Sequence, residues 1–163
     1  MVKTKRGGVA AKAGHDLVLG VTSWQAMFDD GEHPSIELTA DPHSLCVIEG
    51  SGGAFALGDE EYAAIEQTIG EEVLSDRPIE FRSQKVEPTA DGLHVEGELQ
   101  LEGNRHAIAF ELETTADGRL RGSAVVKQTD WGIKPYTALF GTLKVADEVE
   151  VLVNAKLPAN KEA

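Results

Sequence analysis

The sequence predicts an all-β fold: an antiparallel barrel of about eight strands with one amphipathic helix inserted at about 59–74. Three observations carry that prediction. From Pro78 to Lys127, apolar and charged residues alternate with a period of two. The alternating runs are separated by Asp91-Gly92, Gly103-Asn104 and Asp117-Gly118, which supply the φ > 0 positions of tight hairpins. One stretch only, Asp59 to Leu74, spaces its apolar residues by three and four, as one face of a helix does.

Taken in order, Val2 to Lys5 can add a short strand. Leu17 to Phe28 reads as one long strand with apolar residues on both faces. Asp29-Asp30-Gly31 turns the chain, and Ser35 to Ala40 alternates with Ile36, Leu38 and Ala40 on one side, extended as far as Ile48. Gly50-Ser51-Gly52-Gly53 lacks the Lys-Ser/Thr of a phosphate loop and reads as a mobile connection. In the helix, Tyr62, Ile65, Ile69 and Val73 share a face, Asp59 serves as the cap, and Glu60 and Glu61 suit the positive end of the dipole. Gly70 weakens it by ~1 kcal/mol relative to Ala, and Pro78 blocks its continuation. In the meander, Leu93, Val95, Gly97, Leu99 and Leu101 share a face, as do Ile108, Phe110 and Leu112, then Leu120, Gly122, Ala124 and Val126. Val149, Val151 and Val153 mark the last strand. Eight strands close a barrel wide enough for side chains or one ligand.

The chain has 163 residues and reads as a single domain, 1–163. Lys and Arg total 15 against 28 Asp and Glu, a net charge of −13, which argues against nucleic acid and anionic membrane surfaces, since both need clustered cations. The single cysteine, Cys46, excludes an internal disulfide and fits a reducing compartment. The basic start Met1–Arg6 is followed by Lys12, His15 and Asp16 rather than a clean apolar segment, so no export signal is read. No apolar run reaches the ~18 residues of a membrane helix. A cytoplasmic protein without membrane insertion is expected.

Candidate chemistry is sparse. His15, His33, His43, His94 and His106 show no metal-ligand spacing, and neither a metal nor a cofactor is expected. His94 falls on a charged strand face and reads as solvated, while His15 reads as a hydrogen-bonded histidine. No Gly-x-Ser-x-Gly occurs, no partner for Cys46 is identifiable, and no catalytic residue is assigned. The segment Thr129–Gly141 gathers Trp131, Tyr136 and Phe140 between Gly132, Pro135 and Gly141, which argue against a regular strand. It reads either as a plug filling one barrel end or as a lid over a ligand mouth. Small inner-face residues, Ala40, Gly97, Gly122 and Ala124, leave volume for an apolar ligand.

Ala13-Gly14-His15-Asp16-Leu17, Leu38-Thr39-Ala40-Asp41-Pro42-His43-Ser44-Leu45, Ile79–Ser83, Val95–Gly103, Asp130-Trp131-Gly132-Ile133 and Asp147–Val151, in that order, resemble the YceI-like family of polyisoprenoid-binding, lipocalin-like proteins. The resemblance covers about Ala13 to Ala155. It implies a lipocalin-like barrel enclosing an apolar tunnel, a long-chain lipid such as a polyisoprenoid as partner, often a homodimer, and no universal catalytic residue. The expected function is binding and sequestration or transport of that lipid. Expected lining residues are Leu19, Val21, Phe81, Val95, Leu99, Phe110, Leu112, Ala124 and Val126, with Trp131, Tyr136 and Phe140 at the mouth. The alternatives are a stress-related or scaffold protein with a filled barrel, and a cavity enzyme using His15 or His43 as acid or base.

Overall fold

A computed structural model describes residues 1–138, 141 and 143–157. The strands are β1 (Val2–Thr4), β2 (Arg6–Gly7), β3 (His15–Val21), β4 (Trp24–Asp29), β5 (Ser35–Ala40), β6 (Leu45–Gly52), β7 (Ile79–Pro88), β8 (Gly92–Leu101), β9 (Asn104–Thr114), β10 (Arg119–Lys127), β11 (Thr137–Ala138), β12 (Leu143–Val145) and β13 (Glu148–Lys156), with one helix, α1 (Asp59–Thr68). Ten of them form one antiparallel sheet in the order β4-β5-β7-β8-β9-β10-β13-β1-β3-β6; β11, β12 and β2 form a second, small one.

The order hides a closed ring. β4 pairs with β5, and β3 with β6. Between them the Thr22 N–H donates to the Ser44 carbonyl at 3.1 Å and the Asp41 N–H to the Ser23 carbonyl at 3.0 Å. The ladder therefore continues, and residues 15–29 and 35–52 form one long hairpin. Its far half joins β7 through β5, and its near half joins β1 through β3. β1 pairs in turn with β13. Counted this way, eight strands close an antiparallel, lipocalin-like barrel, and β1, the shortest of them, is its last stave.

Three local expectations are corrected. The long strand Leu17–Phe28 is interrupted at Thr22-Ser23, opposite a helical turn at Pro42–Ser44 capped by the Asp41 carboxylate. Buried Leu19 and the core-facing Phe28 lie an odd number of residues apart, so the break shifts the phase that brings both inward. Gly50–Gly52 is strand rather than loose connection, because Leu57, Arg6 and His15 pack where side chains at 50, 52 and 53 would lie. The helix starts after Gly58, whose N–H is bonded by the Glu61 carboxylate at 2.8 Å, so Asp59 is its first residue and not its cap. It ends in a π turn, Ile69–Val73, around Gly70. Helix α1 lies beside β6, where Glu66 accepts the Val47 N–H at 2.8 Å. That bond satisfies a strand edge which would otherwise be open.

The three meander hairpins form, the third with φ 76° at Gly118, whereas in the first neither Asp91 nor Gly92 takes the expected positive φ and the Thr89 N–H bonds the Gly92 carbonyl. The second turns on Glu102-Gly103 rather than Gly103-Asn104: Leu101 faces Asn104, and φ is 51° at Glu102 and 77° at Gly103. β9 and β10 pair only between Leu112–Thr114 and Leu120–Gly122. Beyond that point they diverge towards the end that carries the small sheet.

Candidate functional site

The inward faces of β7 to β10 bring together Phe81, Val86, Val95, Leu99, Leu112, Leu120 and Val126 in one buried cluster with Trp131 and Ile133. Five of the expected lining residues are in it: Phe81, Val95, Leu99, Leu112 and Val126. Phe110 packs against them half-buried, its ring 5.4 Å from that of Phe81. Leu19 is buried outside the cluster on β3, and Val21 and Ala124 are half-buried. Tyr136 is exposed, and Phe140 lies outside the described residues. Ile133 was missed because the sequence around it looks like loop; its only signal is an isolated aliphatic residue between Gly132 and Pro135.

The glycines do not leave the volume expected of them. A Cβ at Gly97 would lie 2.3 Å from the Arg82 carbonyl and 2.7 Å from the Phe81 ring. The ring of Phe81 fills the space over the glycine. At Gly122, the Glu111 carbonyl and Leu112 do the same, at 2.4 Å and 2.7 Å. These glycines permit close, strongly coiled strands rather than a cavity.

Several apolar residues around the cluster keep part of their surface exposed. Ile36, Leu38, Ile108, Val149 and Val151 contact the core yet remain half-buried. Two clefts of about 400 Å³ and 550 Å³ lie elsewhere: one at the Thr89–Gly92 hairpin tip, the other beside Gly70–Arg77 and Glu102. Both are polar and open.

The segment after β10 closes the wedge between β9 and β10. Trp131 is 3% exposed, and its indole N–H donates to the Leu99 carbonyl at 2.8 Å. Its own carbonyl accepts from the Asn104 amide, and His106 meets the ring edge-on at 5.4 Å. Gly132, at φ 74°, lets the chain turn back so that the Ile133 N–H reaches the Gln128 carbonyl. Asp147 holds the segment from behind, accepting the Thr129 N–H at 2.8 Å and hydroxyl at 2.5 Å. The Thr129 hydroxyl first, and its N–H second, keep the Asp147 carboxyl below the ordinary carboxylate range. Trp131 thus fills the wedge with its polar groups bonded. Val145 and Tyr136 continue the small sheet across this end.

His94 is half-buried on the outer face, not freely solvated. It bonds Glu111 across the strands and Glu96 at 2.9 Å. Glu111 first and Glu96 second raise its pKa above the ordinary imidazole value. His15 is hydrogen-bonded, as expected, to the Phe55 carbonyl at 2.7 Å, and His43 pairs with Asp76 at 2.8 Å. Among the described residues, no group of three His, Cys, Asp or Glu side chains is arranged to hold a metal ion. Among the described residues, no helix is long and apolar enough to cross a membrane.

The family model of the YceI-like domain matches residues 72–157. No curated protein sequence matches the chain. Among solved structures, Burkholderia cenocepacia BcnA is 17% identical, with a TM-score of 0.62 over 94% of each chain. The Campylobacter jejuni YCEI protein that crystallizes with large solvent channels is 14% identical, with a TM-score of 0.52 over 86% of this chain and 85% of that one. A mutant of it with a monobromobimane guest gives 0.54 at 14% identity over the same shares. At these identities the structures speak for the fold.

Proposed function

Since the chain belongs to the YceI-like domain family, we propose that it binds and sequesters or transports an apolar long-chain lipid, polyisoprenoid-like, inside the barrel, without catalysing a reaction. The observation that supports this reading is the set of apolar residues around the buried cluster, Ile36, Leu38, Ile108, Val149 and Val151, that stay half-buried. An acyl or prenyl chain supplies the missing contacts. Each buried CH₂ contributes ~0.8 kcal/mol, so eight such groups contribute on the order of 6 kcal/mol before ordering costs are subtracted. The ligand contacts proposed are Leu19, Val21, Phe81, Val95, Leu99, Phe110, Leu112, Ala124 and Val126.

Native mass spectrometry of freshly purified protein, followed by solvent extraction, tests the reading. A stoichiometric apolar adduct is expected, and uptake is expected to fall in Leu99→Asp and Ala124→Asp. A clean mass that stays unchanged after incubation with polyprenols and fatty acids overturns it. Circular dichroism of both variants separates lost binding from lost folding, because a buried charge also destabilises. A filled-barrel scaffold is the second reading; the Phe81 ring over Gly97 and the hydrogen-bonded Trp131 favour it.

A further inference from the structure

The net charge of −13 conceals three stretches without carboxylates that meet at one end of the barrel, bordered by Asp16, Asp130 and Asp147. Residues 1–15, 50–58 and 131–146 contain no Asp or Glu, although the chain has 28. The fold brings described residues of these three stretches together. Arg6 and Gly7 pair with Val145 and Lys144, and the Ala146 N–H bonds the Lys5 carbonyl at 2.7 Å. His15 faces Gly52 across the ladder and stacks edge-on against Phe55 at 5.6 Å. Tyr136 joins through its carbonyl, which accepts the Val145 N–H. Lys5 and Arg6 share Asp16. Lys12, Lys134 and Lys144 are exposed, and no carboxylate of the described residues lies within 4 Å of them. The same segments carry two exposed apolar side chains: Val9 is 91% exposed and Phe55 62%.

We propose that this end docks on an anionic phospholipid bilayer, with Lys12, Lys134 and Lys144 at headgroup phosphates and Val9 and Phe55 entering the acyl boundary. The proposal rests on the lipid-binding reading and gives it a membrane partner: the docked end is the one that Trp131 fills. Charge complementarity selects the occupant. An apolar lip ringed by lysines suits an anionic interface, where each Lys near the surface is attracted by about 1 kcal/mol. The carboxylates of the opposite hairpin tips, such as Asp30, Asp91 and Asp117, lie beyond a ten-residue strand, about 33 Å away. At ~8 Å of screening length, their repulsion does not reach the membrane. Asp59–Glu61, at the start of α1, border the patch and set its limit.

Vesicle co-sedimentation tests this with the full chain. The probes are phosphatidylcholine vesicles with and without about one-third phosphatidylglycerol. The native protein is expected to bind the anionic vesicles only and to be released by raised salt. The exposed triple variant Lys12→Gln/Lys134→Gln/Lys144→Gln is expected to bind about a hundredfold more weakly, and Val9→Ser/Phe55→Ser about tenfold. Absence of native binding, equal binding by the triple variant, or equal competition by polyglutamate overturns the proposal; the last would reassign the patch to an acidic polypeptide. Unchanged binding by Val9→Ser/Phe55→Ser overturns the insertion of the lip. Lipid uptake from detergent micelles is measured in parallel. Uptake without vesicle binding fails the docking alone, and vesicle binding without uptake fails the lipid-binding reading alone.

Discussion

Truncating Trp131 distinguishes a plug from a lid. The indole is 3% exposed and donates its N–H to the Leu99 carbonyl. Trp131→Phe keeps most of the apolar contact and leaves that carbonyl without its donor, at a cost of about 2 kcal/mol. Trp131→Ala also opens a hole in the cluster with Leu99, Val126 and Ile133, for a total of about 4 kcal/mol. For a chain of this size those costs lower Tm by about 4–8 °C and 8–16 °C. Urea unfolding followed by far-UV circular dichroism measures them, with an unchanged m-value as the check that only stability moved. In a Trp24→Phe background, fluorescence reports Trp131 alone. If both variants unfold within about 0.5 kcal/mol of the native protein, the ring carries no packing energy. The closed-end geometry would then be that of a lid, and the plug argument would be wrong.

Other outcomes follow from the same geometry. Gly97→Ala puts a methyl 2.3 Å from the Arg82 carbonyl; a loss of about 1–3 kcal/mol is expected in the same urea titration, and a neutral result would mean that the β7–β8 spacing yields easily. His94 binds its proton more tightly folded than unfolded, so its contribution is complete below the ordinary imidazole range and lost as pH rises through the raised folded value. The Tm gap between the native protein and His94→Gln should therefore be widest near about pH 6 and close in alkali; a pH-independent gap contradicts the Glu96–His94–Glu111 pairing. Asp147 has the opposite sign: its contribution is present above the ordinary carboxylate range and disappears as pH falls through the lowered folded value. Asp147→Ala should speed hydrogen exchange of the Thr129 amide, and an unchanged rate would show that the carboxylate does not hold the plug segment.

Much of the candidate site was legible because a strand's period of two carries its own face assignment. Once Val95 and Leu99 alternate with Glu96 and Glu98, one face must be the interior. Leu112 and Val126 were found in the same way, whereas Phe81 came with the family resemblance. The glycines misled because a missing side chain reads as empty space from sequence, whereas a neighbour across the strand decides whether it is occupied. Trp131 and Ile133 sit in an irregular segment whose burial depends on hydrogen bonds to Leu99, Asn104 and Asp147, residues 32, 27 and 18 positions from those they bond. No local pattern encodes such partners. His94 looked solvated for the same reason: Glu111 reaches it only through the β8–β9 register.

The sequence by itself determined the strands of the meander, their hairpins, the helix and the inward set of Val, Leu and Phe. These follow from local periodicity and from backbone angles that Gly supplies at positions such as 103 and 118. Only the tertiary structure decided closure, through the ladder carried across Thr22-Ser23 and Asp41–Ser44 and through the three residues of β1. It alone decided where the charge lies. Net charge is a sum over the chain, but the field at a surface depends on which segments meet there, and long-range strand pairing gathers three stretches without a carboxylate at one end of an acidic barrel.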